Sequence, residues 1–267
     1  MRPVFGPRTL AFGERVRARA PLTGTTLFSA SPVLTETIAV AGFDFLIVDT
    51  EHTGLRVDSD AFRAIALGGL LRDLPLMVRV AGAVDGPVQT ALDAGAAGVM
   101  RSSVRTATDA AELLELSRFA PDGTRGACPV TRANGYFGDW AAYRDGPLAR
   151  PVVGCLIEDP EGIENVDAIA ATGIDLLWFG PFDYQVAAGL EREAPEARAA
   201  ASDAALSRVA EAARAHGIAF AAVAWNGEAA RGCLELGASL IVVTSDLWMF
   251  HEHCVSTLET VRAAIVA

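Results

Sequence analysis

Four stretches of the chain share one pattern: "AGFDFLIVDT", "AGAAGVMRSS", "TGIDLLWFGP" and "LGASLIVVTS". In each, a glycine is followed after about two residues by an apolar run and then by polar residues. The glycine suits the end of a helix, because it alone enters the left-handed region without strain. The apolar run suits a strand covered on both faces, as in parallel sheets. Extended to the rest of the chain, the pattern predicts eight strands, at about residues 25–29, 45–49, 76–80, 98–102, 152–158, 176–180, 219–225 and 240–244. Helical periodicity lies between them. Residues 203–213 place Leu206, Val209, Ala210 and Ala213 on one face, and residues 108–119 do the same with Ala111, Leu114 and Phe119 before Pro121. Eight alternating repeats predict one closed (β/α)8 barrel over residues 1–267, an α/β fold.

Two segments break the rhythm. Residues 125–150, "RGACPVTRANGYFGDWAAYRDGPLAR", are too long for an ordinary connection and rich in glycine and aromatics. Residues 247–267 form one long helical pattern with Val255, Leu258, Val261 and Ile265 as its apolar stripe.

In a parallel barrel the C-terminal ends of the strands carry the chemistry. Read in order, those ends hold Asp49, Glu51 and His52, then Arg79, then Glu158, then Asp183. Glu158 and Asp183, on adjacent strands, suit a hard divalent cation such as Mg²⁺ or Mn²⁺, with Co²⁺ also compatible. Arg79 offers a fixed positive charge to a developing oxyanion. His52 suits proton transfer, imidazole being the side chain that changes charge near neutral pH. "HEHC" at residues 251–254 does not read as a metal cluster, because His251 and His253 are two apart on a helix and point to different faces. Trp178 and Trp225 read as barrel packing.

Composition narrows the chemistry. The sequence contains no lysine; all 22 basic residues are arginine. A Schiff base needs an amine, so imine-forming aldolases and pyridoxal-phosphate enzymes are excluded, and another electron sink is required. Net charge is −11, with no basic cluster to track phosphates, which argues against nucleic acid as a partner. No apolar run reaches the roughly 18 residues of a membrane span. The first twenty residues lack the apolar core of a secretion signal, and the four cysteines are scattered, so a cytoplasmic protein is expected.

The segments "DTEH", "VRV", "ALDAGA", "DGTRG", "IED" and "GPFD" occur in an order and spacing that resembles the HpcH/HpaI aldolase family, from about residue 25 to residue 246. That resemblance implies a phosphoenolpyruvate/pyruvate-type barrel and a metal-dependent class II pyruvate aldolase acting on 4-hydroxy-2-oxo acids, with a 2-oxo acid and an aldehyde as its small-molecule partners. It also implies site roles. His52 is the catalytic base or acid, and Asp93 its paired carboxylate. Arg79 stabilises the oxyanion, and Glu158 and Asp183 hold the metal. Backbone at Phe182 and Asp183 binds the substrate carboxylate, with Gly180 and Pro181 in the same turn. Asp49 and Glu51 orient metal-bound water. A homo-oligomer is implied too, a hexamer or another dimer-based assembly in which the C-terminal helix is exchanged between subunits. The sequence departs from the family pattern at Leu156, Arg101, Ser102 and Phe182, which points to a reshaped pocket. Two alternatives stay open: a citrate-synthase-like condensing enzyme using the same enolate site, and a non-catalytic binding barrel.

Overall fold

The computed structural model describes residues 4–82 and 85–266. Eight parallel strands close into a barrel in chain order. They are β1 (Leu22–Leu27), β2 (Phe45–Asp49), β3 (Leu76–Val80), β4 (Gly98–Arg101), β5 (Val152–Ile157), β6 (Leu176–Phe179), β7 (Ala219–Ala224) and β8 (Leu240–Ser245). The first half carries helices α1 (Pro7–Arg17), α2 (Pro32–Ala41), α3 (Asp60–Leu71), α4 (Asp85–Asp93), α5 (Ala107–Ser117) and α6 (Trp140–Arg144). The second half adds α7 (Pro160–Glu164), α8 (Val166–Ala170), α9 (Pro181–Ala187), α10 (Pro195–His216), α11 (Gly227–Glu235) and α12 (Asp246–Val266). The expected (β/α)8 barrel is the observed one.

Element boundaries differ where apolar runs are a poor guide. β1 starts at Leu22 rather than residue 25, because its sequence LTGTTL is half hydroxyl-bearing and reads as a turn. Gly24, Thr25 and Thr26 are nonetheless buried in the barrel wall, and a Cβ on Gly24 would strike the Phe45 ring at 2.4 Å. α10 begins at Pro195, well before residue 203, since a proline is tolerated in a first helical turn and the alanines after it favour helix. The segment 125–150 is mostly irregular, with only α6 and a short 3₁₀ turn at Pro147–Ala149. The C-terminal helix is as expected; Ala267, its last anticipated residue, lies outside the described residues.

Two apolar layers hold the barrel. Alternate strand residues such as Phe45, Ile47, Leu156, Leu176, Leu240 and Val242 fill the interior. The residues between them, such as Leu46, Val48, Val153, Leu177 and Ile241, pack outward against the helices. This division follows from the two-residue side-chain period of a strand. α1 closes the N-terminal end of the barrel: Phe12 and Val16 are fully buried, and the Phe12 ring lies 5.7 Å from that of Phe45. Among the described residues no helix is long and apolar enough to cross a membrane.

Candidate active site

The interior parity, followed one step past each strand, generates the site. Ile47 leads to Asp49, Met77 to Arg79, Met100 to Ser102, Leu156 to Glu158, Trp178 to Gly180 and Val242 to Thr244. Parallel register sets Asp49 beside Arg79. Below this layer the interior is apolar; at it, the side chains become polar and meet solvent at the barrel's C-terminal mouth.

Asp49 is fully buried and organises the turn after β2. One carboxylate oxygen accepts from Arg79 Nε at 2.6 Å and from the Glu51 N–H at 3.3 Å; the other accepts from the His52 N–H at 3.0 Å. Glu51 takes a hydrogen bond from Ser102 Oγ at 2.6 Å, and its other oxygen lies 3.4 Å from His52 Nε2 and 3.5 Å from Arg79 Nε. His52 is therefore held by its backbone while its ring stays open to solvent, with 55% of the side chain exposed. Arg79 is buried, its guanidinium 5.5 Å from the centre of the Phe28 ring, and its Nη2 has no partner. Arg79 is thus both an ion-pair partner of Asp49 and a donor with unused capacity.

Glu158, one residue beyond β5, is buried and clamped by Ser103. The Ser103 N–H donates at 2.6 Å and its hydroxyl at 2.9 Å to the same carboxylate oxygen. Ser103 adopts a left-handed backbone, φ 50°, to aim both donors at once. The second Glu158 oxygen lies against Gly180, where a Cβ would approach it to 2.9 Å, so a glycine is needed for β5 and β6 to end this close. Burial pushes the Glu158 carboxyl up, and the carboxylates of Asp183 and Glu51 push the same way. Together they outweigh the Ser103 hydrogen bonds and bring it to about 7 from an ordinary 4.5. Asp183 stands exposed in the first turn of α9.

A cavity of about 620 Å³ lies at the mouth; Arg79 and Asp183 are on its wall, whereas Asp49, Glu51, His52 and Glu158 are not. Its wall includes Arg79, Gly180, Pro181, Phe182 and Asp183 from the expected set. It also includes residues that sequence reasoning passed over. Thr26 and Thr244 follow the interior parity and needed only that rule to be found. Thr244 has φ 38° and a buried hydroxyl without a partner; Trp178 Nε1 is buried and unpartnered as well. Trp225 is not packing: it is 64% exposed at the cavity rim, because it lies one residue past the end of β7. Trp178, 5% exposed, is interior packing that also forms cavity wall. Ser103 carried no sequence signal, since its role depends on a backbone angle.

Asp93 is placed elsewhere. It is the last residue of α4, a helix that runs from the C-terminal mouth back to the start of β4, so it lies at the opposite end of the barrel from His52. Its partner is the buried Arg125, at 2.9 Å. The pairing with His52 does not occur within this chain. Arg101 also leaves the site: its side chain points outward to Asp109 at 2.6 Å and Glu112 at 3.1 Å. His251, His253 and Cys254 are exposed on α12.

The donor set fits a hard divalent ion. Glu158 and Asp183 offer oxygens only, and the Glu158 carboxyl is raised chiefly by burial and further by the carboxylates of Asp183 and Glu51, a penalty that a cation would relieve. Among the described residues no group of three or more His, Cys, Asp or Glu side chains could hold a metal. The fit is therefore to an ion that takes two carboxylates and completes its shell with water or substrate.

The chain resembles known proteins in sequence and fold. The family model described as HpcH/HpaI aldolase/citrate lyase matches residues 24–252. A 5-keto-4-deoxy-D-glucarate aldolase of Enterobacter sp. (strain 638) is 34% identical over 224 residues, 83% of this chain and 84% of its own length. The crystal structure of an HpcH/HpaI aldolase/citrate lyase family protein from Burkholderia cenocepacia J2315 superposes with a TM-score of 0.85 at 31% identity, covering 95% of this chain and 99% of that one. The citrate synthase SbnG shares the fold, with a TM-score of 0.82 at 22% identity over 97% of this chain and 100% of its own.

Proposed function

The chain belongs to the HpcH/HpaI aldolase/citrate lyase family, and from that membership we propose that it is a divalent-metal-dependent aldolase that cleaves or forms a 4-hydroxy-2-oxo acid through a pyruvate enolate and an aldehyde. The observation that carries this reading is the charge arrangement at the mouth. A buried carboxylate raised to about 7 lies near two others, within one interior layer of a buried arginine that keeps an unpartnered nitrogen.

An ion held by Glu158 and Asp183, with Mg²⁺, Mn²⁺ and Co²⁺ as the candidates, would supply Lewis acidity to the carboxylate and keto oxygens of a 2-oxo acid. The protein's own groups do the rest. In cleavage, His52 accepts the proton of the C4 hydroxyl, directly or through water. The C3–C4 electron pair becomes the C2–C3 double bond, charge moves to the C2 oxygen, and the aldehyde leaves. Arg79 Nη2 is available to donate to that oxygen. Asp49 keeps Arg79 and the His52 backbone in place, and Glu51 steadies the imidazole. The first turn of α9 offers the Phe182 and Asp183 N–H groups, which have no intrahelical acceptor, to the substrate carboxylate. A proton delivered to C3 completes pyruvate.

The names of the curated relatives supply one candidate substrate, 5-keto-4-deoxy-D-glucarate. Thorough chelation should abolish turnover and Mn²⁺ or Mg²⁺ should restore it, while borohydride with pyruvate should leave the protein mass unchanged. Turnover that survives chelation refutes the reading.

A homo-oligomer belongs to the same proposal. From Phe250 to Ile265 nearly every residue of α12 is exposed, including Val255, Leu258, Val261 and Ile265, so the helix has an apolar stripe with nothing of this chain upon it. Light scattering should give a mass of at least two chains; a monomer would refute it.

A further inference from the structure

Resting on the metal-dependent reading above, we infer that Ser103 is a positioning residue for the ligand Glu158. By holding one carboxylate oxygen it leaves a single oxygen for the ion, which favours Mg²⁺ and Mn²⁺ over Ca²⁺.

The turn after β4 departs from strand geometry at one residue. Ser102 follows the interior parity, and its hydroxyl meets Glu51. In extended backbone the next side chain would point to the opposite face, away from the mouth. Ser103 instead takes φ 50°, the left-handed region, where a Cβ crowds the following carbonyl. The turn directs its N–H and its hydroxyl to one atom, Glu158 Oε1, at 2.6 and 2.9 Å.

Contacts beside it hold the turn against β5. Val104 N–H donates to the Leu156 carbonyl at 3.1 Å, and Arg105 Nε pairs with Asp159. The Arg105 carbonyl accepts from Asn165 Nδ2 at 2.9 Å, and Thr106 then caps α5 through a reciprocal pair with Asp109. Residues 103, 104 and 105 are each tied to the segment 156–165, so Ser103 cannot leave Glu158 without breaking its neighbours' bonds. All of these bonds join adjacent elements of one chain.

The clamp divides the carboxylate. An oxygen of this kind has about two lone-pair directions, and two donors on Oε1 use both. Among the described residues nothing donates to Oε2. That oxygen faces Gly180, 2.9 Å from where a Cβ would stand, on the side of the turn that leads to Asp183. A glutamate free to rotate offers a cation one oxygen or both; Glu158 offers one. Ca²⁺ gathers about six to eight oxygens in flexible geometry and readily takes both from a carboxylate. Mg²⁺ demands a tight octahedral shell, binds through one or two carboxylates and keeps its other positions for water or substrate. Each position that the protein does not fill is one a 2-oxo acid can occupy.

Two variants separate this role from support of the loop. Ser103→Gly and Ser103→Ala both lose the hydroxyl and keep the N–H. Only glycine takes φ 50° without strain, so Ser103→Gly should melt at the higher temperature of the two. On full-length protein freed of metal, Mn²⁺ binding is read from the EPR signal of the free ion, with Mg²⁺ and Ca²⁺ as competitors. The wild type should release Mn²⁺ to Mg²⁺ at lower concentration than to Ca²⁺. In both variants the preference should shift toward Ca²⁺ by about tenfold or more. A role confined to folding would make the shift follow the melting temperature, larger in Ser103→Ala and absent from Ser103→Gly. A shift absent from either variant, or a wild type that prefers Ca²⁺, overturns the positioning role and leaves the metal-dependent reading standing. A wild type that binds no Mn²⁺ overturns that reading and the inference with it.

Discussion

The two ends of the barrel are both rich in acidic residues, and they treat them in opposite ways. At the N-terminal end the aspartates just before β2, β3 and β6 are all engaged. Asp73 accepts the Arg8 and Thr9 N–H groups at the start of α1, Asp44 accepts Thr23 N–H and Arg15, and Asp175 accepts Val153 N–H and Arg17. At the C-terminal mouth the same kinds of group are under-used. Glu158 keeps one oxygen without a donor beside two other carboxylates, Asp183 stands in solvent, and Arg79, Trp178 and Thr244 each hold a buried polar atom with no partner. A buried polar group costs stability unless it is satisfied. For Asp44, Asp73 and Asp175 that demand is met within the chain, and the mouth leaves it to be met by what binds there. Exceptions near the N-terminal end include Ser239 Oγ just before β8 and two nitrogens of Arg125, all buried and unpartnered, although the Arg125 guanidinium lies 4.6 Å from the centre of the Phe119 ring.

The contrast can be broken at its strongest point by Glu158→Gln. The amide keeps the shape and one acceptor for Ser103 but removes the charge. Turnover should fall about 10³-fold or more, and Mn²⁺ should no longer raise the melting temperature, whereas circular dichroism stays native. Retained Mn²⁺ stabilisation would place the ion elsewhere.

Asp175→Ala probes the other end. It strands the buried Val153 N–H and releases Arg17, which should cost about 2–3 kcal/mol. In a chain of this size that is roughly 6 °C in melting temperature. The kcat of the folded fraction should be unchanged; a large fall in kcat would show that the two ends are not separable.

A subtler test uses pH. Glu158 sits at about 7 in the folded protein without metal, against an ordinary 4.5, so between those values the folded state binds more protons than the unfolded. Its contribution therefore makes the metal-free protein lose stability as pH rises from about 4.5 to 7, with no further change above. A cation competes with that proton, so apparent Mn²⁺ affinity should drop about tenfold per pH unit below 7. Thermal-shift titrations at pH 5.5, 6.5 and 8 would show stabilisation growing with pH; a flat response would refute proton–metal competition at Glu158.

Much of this is legible in the chain. Apolar runs ending in Asp49, Arg79, Glu158 and Gly180 mark strand ends, because a parallel strand is buried on both faces until it emerges. The absence of lysine removes whole classes of carbon-bond chemistry on composition alone. The hydroxyl-rich β1 and the alanine-rich start of α10 escape, since neither carries the hydrophobic contrast on which such reading depends.

Strand count, strand order and the acidic mouth are written in local composition, because burial and emergence of each strand leave their mark on neighbouring residues. Which groups are satisfied and which are left open depends instead on barrel closure. The left-handed turn at Ser103, the approach of Gly180 to Glu158, the separation of Asp93 from His52 and the meeting of Phe182, Trp225 and Trp248 all involve residues distant in the chain. A hydrogen bond or a packed ring depends on ångström-scale placement, and that placement exists only once eight strands have closed on one another.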